Sequence, residues 1–197
     1  MEFSENEHLV EGTTHAVLKS AGWHEHRRYN PWLSVRRLRR IGYDVHEMAE
    51  SVLCRFGGLT IQTRRIERST PNQSVDICMF GNFRAFNGYS LKRAAMRKRL
   101  SPPDAEFLKR LYGWTVCYVG SCNDVYYSSQ QQPSVILSVE TGECILCPSD
   151  WLQIFVSESF EDMLEFLLSA RRTAAREIVL DGDERACSQL LELGLWP

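Results

Sequence analysis

The chain has 197 residues, with 23 Lys and Arg against 25 Asp and Glu and 44% hydrophobic residues. That length suits one continuous core, the composition gives no case for disorder, and no apolar run approaches the roughly 20 residues of a membrane helix. The net charge of −2 conceals a division: residues 1–110 carry 19 basic against 12 acidic side chains, a net of +7, and residues 111–197 carry 4 against 13, a net of −9. The start, MEFSENEHLVEG, is acidic and polar, whereas a secretory signal places positive charge before an apolar block, so the sequence predicts a cytoplasmic protein. Seven scattered cysteines, an odd number, point to reduced thiols in that compartment rather than a disulfide framework.

In chain order, the first helix is predicted from about Glu7 to Ser20, with Val10, Thr14, Val17, Leu18 and Ala21 at helical spacing and Gly22 as its stop. Asn30–Pro31 starts a second helix, in which Trp32, Val35 and Leu38 form the apolar stripe and Arg36, Arg37, Arg39 and Arg40 take the other face. Asp44 and Glu47 have capping-box spacing for a third, whose inward face is Met48, Ala49, Val52, Leu53 and Phe56. Gly57 is expected to close that helix in the left-handed conformation, and Gly58 to turn the chain into a strand where Leu59 and Ile61 alternate with Thr60 and Gln62. A second alternation follows at Val75, Ile77 and Met79, with RRIERSTPNQS between them as a charged loop or hairpin tip.

SLKRAAMRKRL and SPPDAEFLKRLYG read as two basic helical pieces, the second ended by Gly113. WTVCYVG then reads as a strand, and PSVILSVETGECILCP as two strands joined by a tight turn at VETGEC. Ser159 and Asp162 cap a core helix carrying Phe160, Met163, Leu164, Leu167 and Leu168, and the tail from Thr173 to Pro197 is a further amphipathic segment. Helices, then strands, then helices imply an α+β fold: N-terminal helices packed on one mixed or antiparallel sheet, followed by C-terminal helices.

AGWHEHRRYN, RRIGYDVHEMAESVLCRFGGLTI and the run from WTVCYVG to SFEDMLEFLL together resemble the third immunity-protein family of the SUKH superfamily. The matching positions are Ala21–Gly22–Trp23 with Arg27, Phe56–Gly57–Gly58–Leu59, Gly120 as the glycine following a strand, Glu140–Thr141–Gly142, and Ser159–Phe160 through Leu168. The resemblance covers about residues 15–170. It departs from the family at Tyr118–Val119–Gly120, where members carry Pro-Ile-Gly, and at Glu140, where they carry Asp. SSQQQP is an unusual insert, and the C-terminal 25 or so residues have no counterpart. The resemblance implies a SUKH-like α+β domain over residues 1–170 with a helical appendage, 171–197, packed on it. It also implies a protein without an enzymatic site or cofactor, which neutralises a cognate toxin, often a nuclease, of a polymorphic toxin system. A regulatory or scaffold module binding an endogenous partner is the alternative within the superfamily.

Three other chemistries are weighed against ordinary explanations. Cys144-x-x-Cys147 with Cys117 and Cys122 has half the spacing of a zinc site, but cysteines in adjacent strands also serve as small core residues, and the reading here is no metal. Trp23, His24, His26, Arg27 and Arg28 lack a sequence-visible nucleophile and orienting carboxylate, and no phosphate-binding, dinucleotide, nucleophile-elbow or zinc-protease motif occurs. RRLRR and KRAAMRKR could meet phosphates but have no interleaved aromatic platform, so they read as solvated helix faces. The acidic C-terminal half is the feature to connect with a partner, because a nuclease is cationic where it grips its substrate. Asp124, Asp150, Glu158, Glu161, Asp162 and Glu165 are the candidate charges, with Trp151, Tyr126 and Tyr127 as aromatic anchors.

Overall fold

The structure, a computed structural model, describes residues 14–65, 73–81, 102–124, 133–148, 150–169 and 172–195. Among the described residues the α-helices are α1 over residues 14–20, α2 (Trp32–Arg40), α3 (Glu47–Phe56), α4 (Pro103–Tyr112), α5 (Phe160–Ser169) and α6 (Glu184–Leu193). The strands are β1 (Thr60–Arg65), β2 (Gln73–Met79), β3 (Val116–Asp124), β4 (Ser134–Val139), β5 (Cys144–Cys147), β6 (Gln153–Ser157) and β7 (Arg176–Val179). They form a single sheet in the order β1-β2-β3-β4-β5-β6-β7, every pair antiparallel. The fold is α+β, and the sheet is wholly antiparallel.

In β2 the buried Val75, Ile77 and Met79 alternate with the half-buried Asp76 and Cys78, the period of a strand covered on one face. Every residue of β5 is buried, as are four successive residues of both β4 and β6, so there both faces of the sheet are covered. Helix α3 lies on β3 and β4, α4 contacts β3 and α6, and α5 contacts β5, β6 and β1. Phe56, Phe80, Phe107 and Phe166 are fully enclosed in this core, each burial worth roughly 1.5–3 kcal/mol. Tyr43 donates to Asp104 Oδ2 (2.6 Å), joining the α2–α3 connection to the first turn of α4. Burial is the main cause raising both groups' pKa values, which favours the neutral pair.

Helix ends show where local signals held and where packing decided. Asn30 Oδ1 accepts from Trp32 N (3.0 Å), Gly113 closes α4 with φ +76°, and Ser159 Oγ caps α5 by accepting from Asp162 N (3.1 Å). The cap of α3 is His46, not Asp44: Ala49 N donates to His46 Nδ1 (3.2 Å). The ring proton therefore sits on Nε2, which donates to Ser138 O on β4 (3.0 Å). One imidazole caps the helix and fastens it to the sheet.

Two predicted stripes are narrower than expected. Val35 and Leu38 are buried in α2, but Trp32 is 59% exposed and Arg36 lies over its ring (5.5 Å). In α3, Ala49, Val52, Leu53 and Phe56 face the core whereas Met48 is exposed. Gly120 does not follow its strand; β3 runs through it to Asp124, with a register shift between Tyr118 and Gly120. A Cβ there would meet Cys78 O at 3.0 Å, so the neighbouring strand's close approach favours glycine. The tail is not helical throughout: Arg176–Val179 joins the sheet beside β6, a short and largely exposed strand whose partner fixes it, while α6 packs on α4. SLKRAAMRKRL lies outside the described residues, as do residues 66–72 of the predicted β1–β2 tip.

Candidate partner-binding surface

The two glycines after α3 exchange the roles expected of them. Gly58 carries the positive φ (+75°), whereas Gly57 is extended at φ −51°, ψ 138°. Gly57 is required by crowding: a Cβ would stand 2.4 Å from Leu53 O and 2.6 Å from the Tyr29 ring. That ring covers Gly57, Gly58 and Gly81, and its hydroxyl reaches Gly81 O at 3.4 Å. Beside it, Arg27 Nη1 donates to Arg55 O (2.9 Å) and Nη2 to Gly57 O (2.6 Å), so a guanidinium satisfies the carbonyls left open at the end of α3. Burial lowers the Arg27 pKa from its ordinary value. Trp23 stacks on Phe56 (6.0 Å between centroids), and Phe56 meets Phe160 (4.8 Å). The residues Trp23, Arg27, Phe56, Gly57, Gly58 and Phe160 thus converge on one joint, where the end of α3 meets the start of α5.

An acidic face opens from that joint. Ser159 fixes the start of α5 while Phe160, Met163, Leu164, Leu167 and Leu168 turn inward. Glu161, Asp162 and Glu165 are left on the outward side of α5, and Glu158 stands two residues before the helix begins. Glu158 and Glu161 are exposed and Asp162 and Glu165 half-buried. Glu161 forms an ion pair with Arg55, and Asp162 interacts with the capping Ser159 hydroxyl. Carboxylates in the first turn are also favoured by the helix dipole.

The other sequence candidates do not join this face. Asp150 is exposed, and its Oδ1 accepts from Leu152 N (3.2 Å) in the β5–β6 connection. The five-residue β6 separates it from Glu158, a span of about 17 Å at strand rise. Trp151 is 6% exposed, takes φ +56° and packs edge-on against Phe107 (5.2 Å). It is a core residue, the ordinary alternative for a tryptophan between two strands. The backbone of Asp124 ends β3 opposite Val75; its side chain, Tyr126 and Tyr127 lie outside the described residues. Arg55 and Tyr29 complete the region without having been singled out. Only the cluster of glycines, which must face something close, hints at Tyr29.

His24 and His26 are exposed, and Trp23 is half-buried in the joint. Cys117, Cys122, Cys144 and Cys147 are all buried. Cys117 and Cys144 flank Ser138 from either side of β4, two strand spacings or about 9.6 Å apart, too far to share a tetrahedral ion. Burial pushes the Cys117, Cys144 and Cys147 thiols up, away from the thiolate that binds metal. Among the described residues no three His, Cys, Asp or Glu side chains group as metal ligands. No described helix is long and apolar enough to cross a membrane.

The SUKH-3 immunity protein family model matches residues 10–128. The chain belongs to that family. No curated protein and no solved structure matches it at a significant level. The SUKH-3 match spans Trp23, Arg27, Gly57 and Gly58 at the joint, and Gly120 where β2 and β3 approach closely. The acidic face on α5 lies beyond the span that the SUKH-3 model matches.

Proposed function

We propose that the chain is a cytoplasmic immunity protein of a polymorphic toxin system, which silences a nuclease-type toxin by covering its cationic substrate-gripping surface and performs no reaction itself. Membership of the SUKH-3 immunity protein family is the observation that carries this reading. The face formed by Glu158, Glu161, Asp162 and Glu165 is the contact surface we assign to the toxin, because like charges gathered on the outward side of α5 and just before its start steer a cationic partner and fix its register. Asp124, Tyr126, Tyr127 and Asp150 are assigned peripheral contacts, and Trp151 contributes only by packing against Phe107 in the core.

The test is binding to the product of the gene adjacent to this one. Wild type and the Glu158→Lys/Glu165→Lys double variant are titrated against it at about 50 mM and about 300 mM salt, and each is co-expressed with it to score protection. A loss of at least about tenfold in affinity at low salt, shrinking at high salt, supports the acidic face, since exposed charges are screened beyond about 10 Å at 0.1 M. Unchanged affinity rejects that face. Absence of both binding and protection by wild type rejects the immunity reading.

A further inference from the structure

Helix α2 holds the exposed arginines Arg36, Arg37, Arg39 and Arg40 and has no acidic residue, while Ser34, Val35 and Leu38 form its buried side. Counted from Trp32, positions i+4 and i+8 are Arg36 and Arg40; counted from Leu33, positions i+3 and i+7 are the same two. The four side chains therefore share the outward face. Trp32 and Leu33 are both more than half exposed, and the Arg36 guanidinium lies over the indole at 5.5 Å. The expectation that RRLRR is only a solvated face rests on the lack of an aromatic platform among its cations. Trp32 is that platform. Arg39 is taken up by Glu50 of α3 (3.1 Å), so Arg36 and Arg40 are the cations along the middle of the face.

Acidic protein, anionic lipid and nucleic acid are the partners to separate, and the layout of the face does so. A protein interface keeps apolar contacts at its centre and charge at its rim. Here the arginines run down the middle and the apolar pair stands at the N-terminal end of the helix. A lipid surface is met by a helix with a continuous apolar face, but in α2 that stripe, Val35 and Leu38, is turned into the core. A single-stranded nucleic acid needs an exposed ring on which an unstacked base can lie, beside cations that follow the phosphates. Arginine suits it better than lysine, because a guanidinium stacks on rings and grips phosphate with two donors. Every cation of α2 is arginine.

We propose that the outward face of α2 binds single-stranded nucleic acid, with a base stacked on Trp32, Leu33 widening the apolar plate, and Arg36 and Arg40 on the backbone phosphates. The contact reads no sequence, since every base has a stacking face and the arginines meet only the backbone. With few phosphates engaged, the affinity is that of non-specific binding, about 1–100 μM. Such a contact holds the chain on the polymer that a nuclease attacks and raises its concentration where a nuclease toxin acts. The binding itself does not depend on the toxin reading.

Fluorescence anisotropy of a labelled single strand of about 12 nucleotides, as RNA and as DNA, tests this on the isolated chain without any toxin. Wild type should bind both strands, more tightly in about 50 mM than in about 200 mM salt. Trp32→Ala should weaken binding about tenfold, and Trp32→Phe should restore most of it. Arg36→Gln/Arg40→Gln should make the slope of log K against log salt shallower by about 1.4, two phosphates at about 0.7 each on a single strand. These positions are exposed, and unchanged far-UV circular dichroism shows that the variants are folded. Binding to a duplex of the same sequence should be insensitive to Trp32→Ala. Absence of binding to the single strands, affinity unchanged by Trp32→Ala, or an equal loss on strand and duplex would overturn the proposal. So would equal competition by polyglutamate of matched charge, which points to an acidic protein, or tighter binding to vesicles of anionic lipid, which points to a membrane surface.

Discussion

Replacing Gly57 by alanine separates two reasons for a glycine. The residue sits at φ −51°, ψ 138°, a conformation any residue adopts, so alanine brings no backbone strain. The added methyl instead stands 2.4 Å from Leu53 O and 2.6 and 2.9 Å from two Tyr29 ring carbons. The ring could swing away, but the carbonyl is the last-turn backbone of α3 and accepts the hydrogen bond from Gly57 N (2.8 Å), so the helix end itself must move. Overpacking of this kind costs about 1–3 kcal/mol, and the upper end applies because backbone is struck. For a chain of this size that is a fall of about 6–12 °C in Tm. Gly182→Ala is the control: φ is +82° but nothing lies within 4 Å of the new methyl, so only the left-handed strain of about 1–2 kcal/mol remains. Urea unfolding followed by tryptophan fluorescence and by far-UV circular dichroism gives both values. Tyr29→Ala in the Gly57→Ala background should recover only part of the loss. A Gly57→Ala protein as stable as wild type would refute the crowding argument.

Burial is the largest influence on His46 and lowers its pKa, so the folded state favours the neutral ring. The stability it contributes is complete above the unfolded value of about 6.5 and is lost as pH falls through that value toward the folded one. Urea midpoints at pH 7.5 and 5.5 should therefore diverge in wild type and diverge less in His46→Asn; equal pH slopes would remove His46 from the account. Arg27→Ala strips two charge-assisted bonds from the end of α3 and should cost about 1.5–3 kcal/mol. Arg27→Lys should recover little, because one ammonium cannot reproduce the two-pronged contact, and full recovery in denaturation would count against that geometry. Arg55→Gln releases Glu161 from its ion pair and makes the acidic face one charge more negative. Association with a cationic toxin should then be faster at low salt with a steeper salt dependence, and a slower rate would argue that Arg55 itself touches the partner.

What could be read in the sequence was mostly what is decided locally. The alternation of Leu59 and Ile61 and of Val75, Ile77 and Met79 announced β1 and β2, and the Ser159 cap and the Gly113 stop needed only their neighbours. Misreadings arose where a distant element decided. Asp44 had suitable capping chemistry, but Ser138 O holds His46 in place and leaves its Nδ1 facing Ala49 N. Arg176–Val179 carries no period of its own, because most of it is exposed, and it becomes a strand only by pairing with β6. Helical spacing gave the direction of the α2 stripe but not its length, so Trp32 was counted as core. For the candidate surface, the outward placement of Glu161, Asp162 and Glu165, with Glu158 just before the Ser159 cap, follows from the predicted α5. The Arg55 pairing, the enclosure of Trp151 and the separation of Asp150 from that face depended on how β6 is placed.

The sheet joins each strand only to its neighbours in the chain, so hairpins can zip in the order in which they leave the ribosome. Helix α5 breaks that sequence, since it touches β5 and β6 just behind it and also β1, about a hundred residues earlier. A nascent chain halted before Phe160 has its first six strands but lacks the ring that Phe56 rests on. Closure of the molecule therefore waits for the same helix that presents the acidic face, so a chain halted before that point lacks both the closed core and that face.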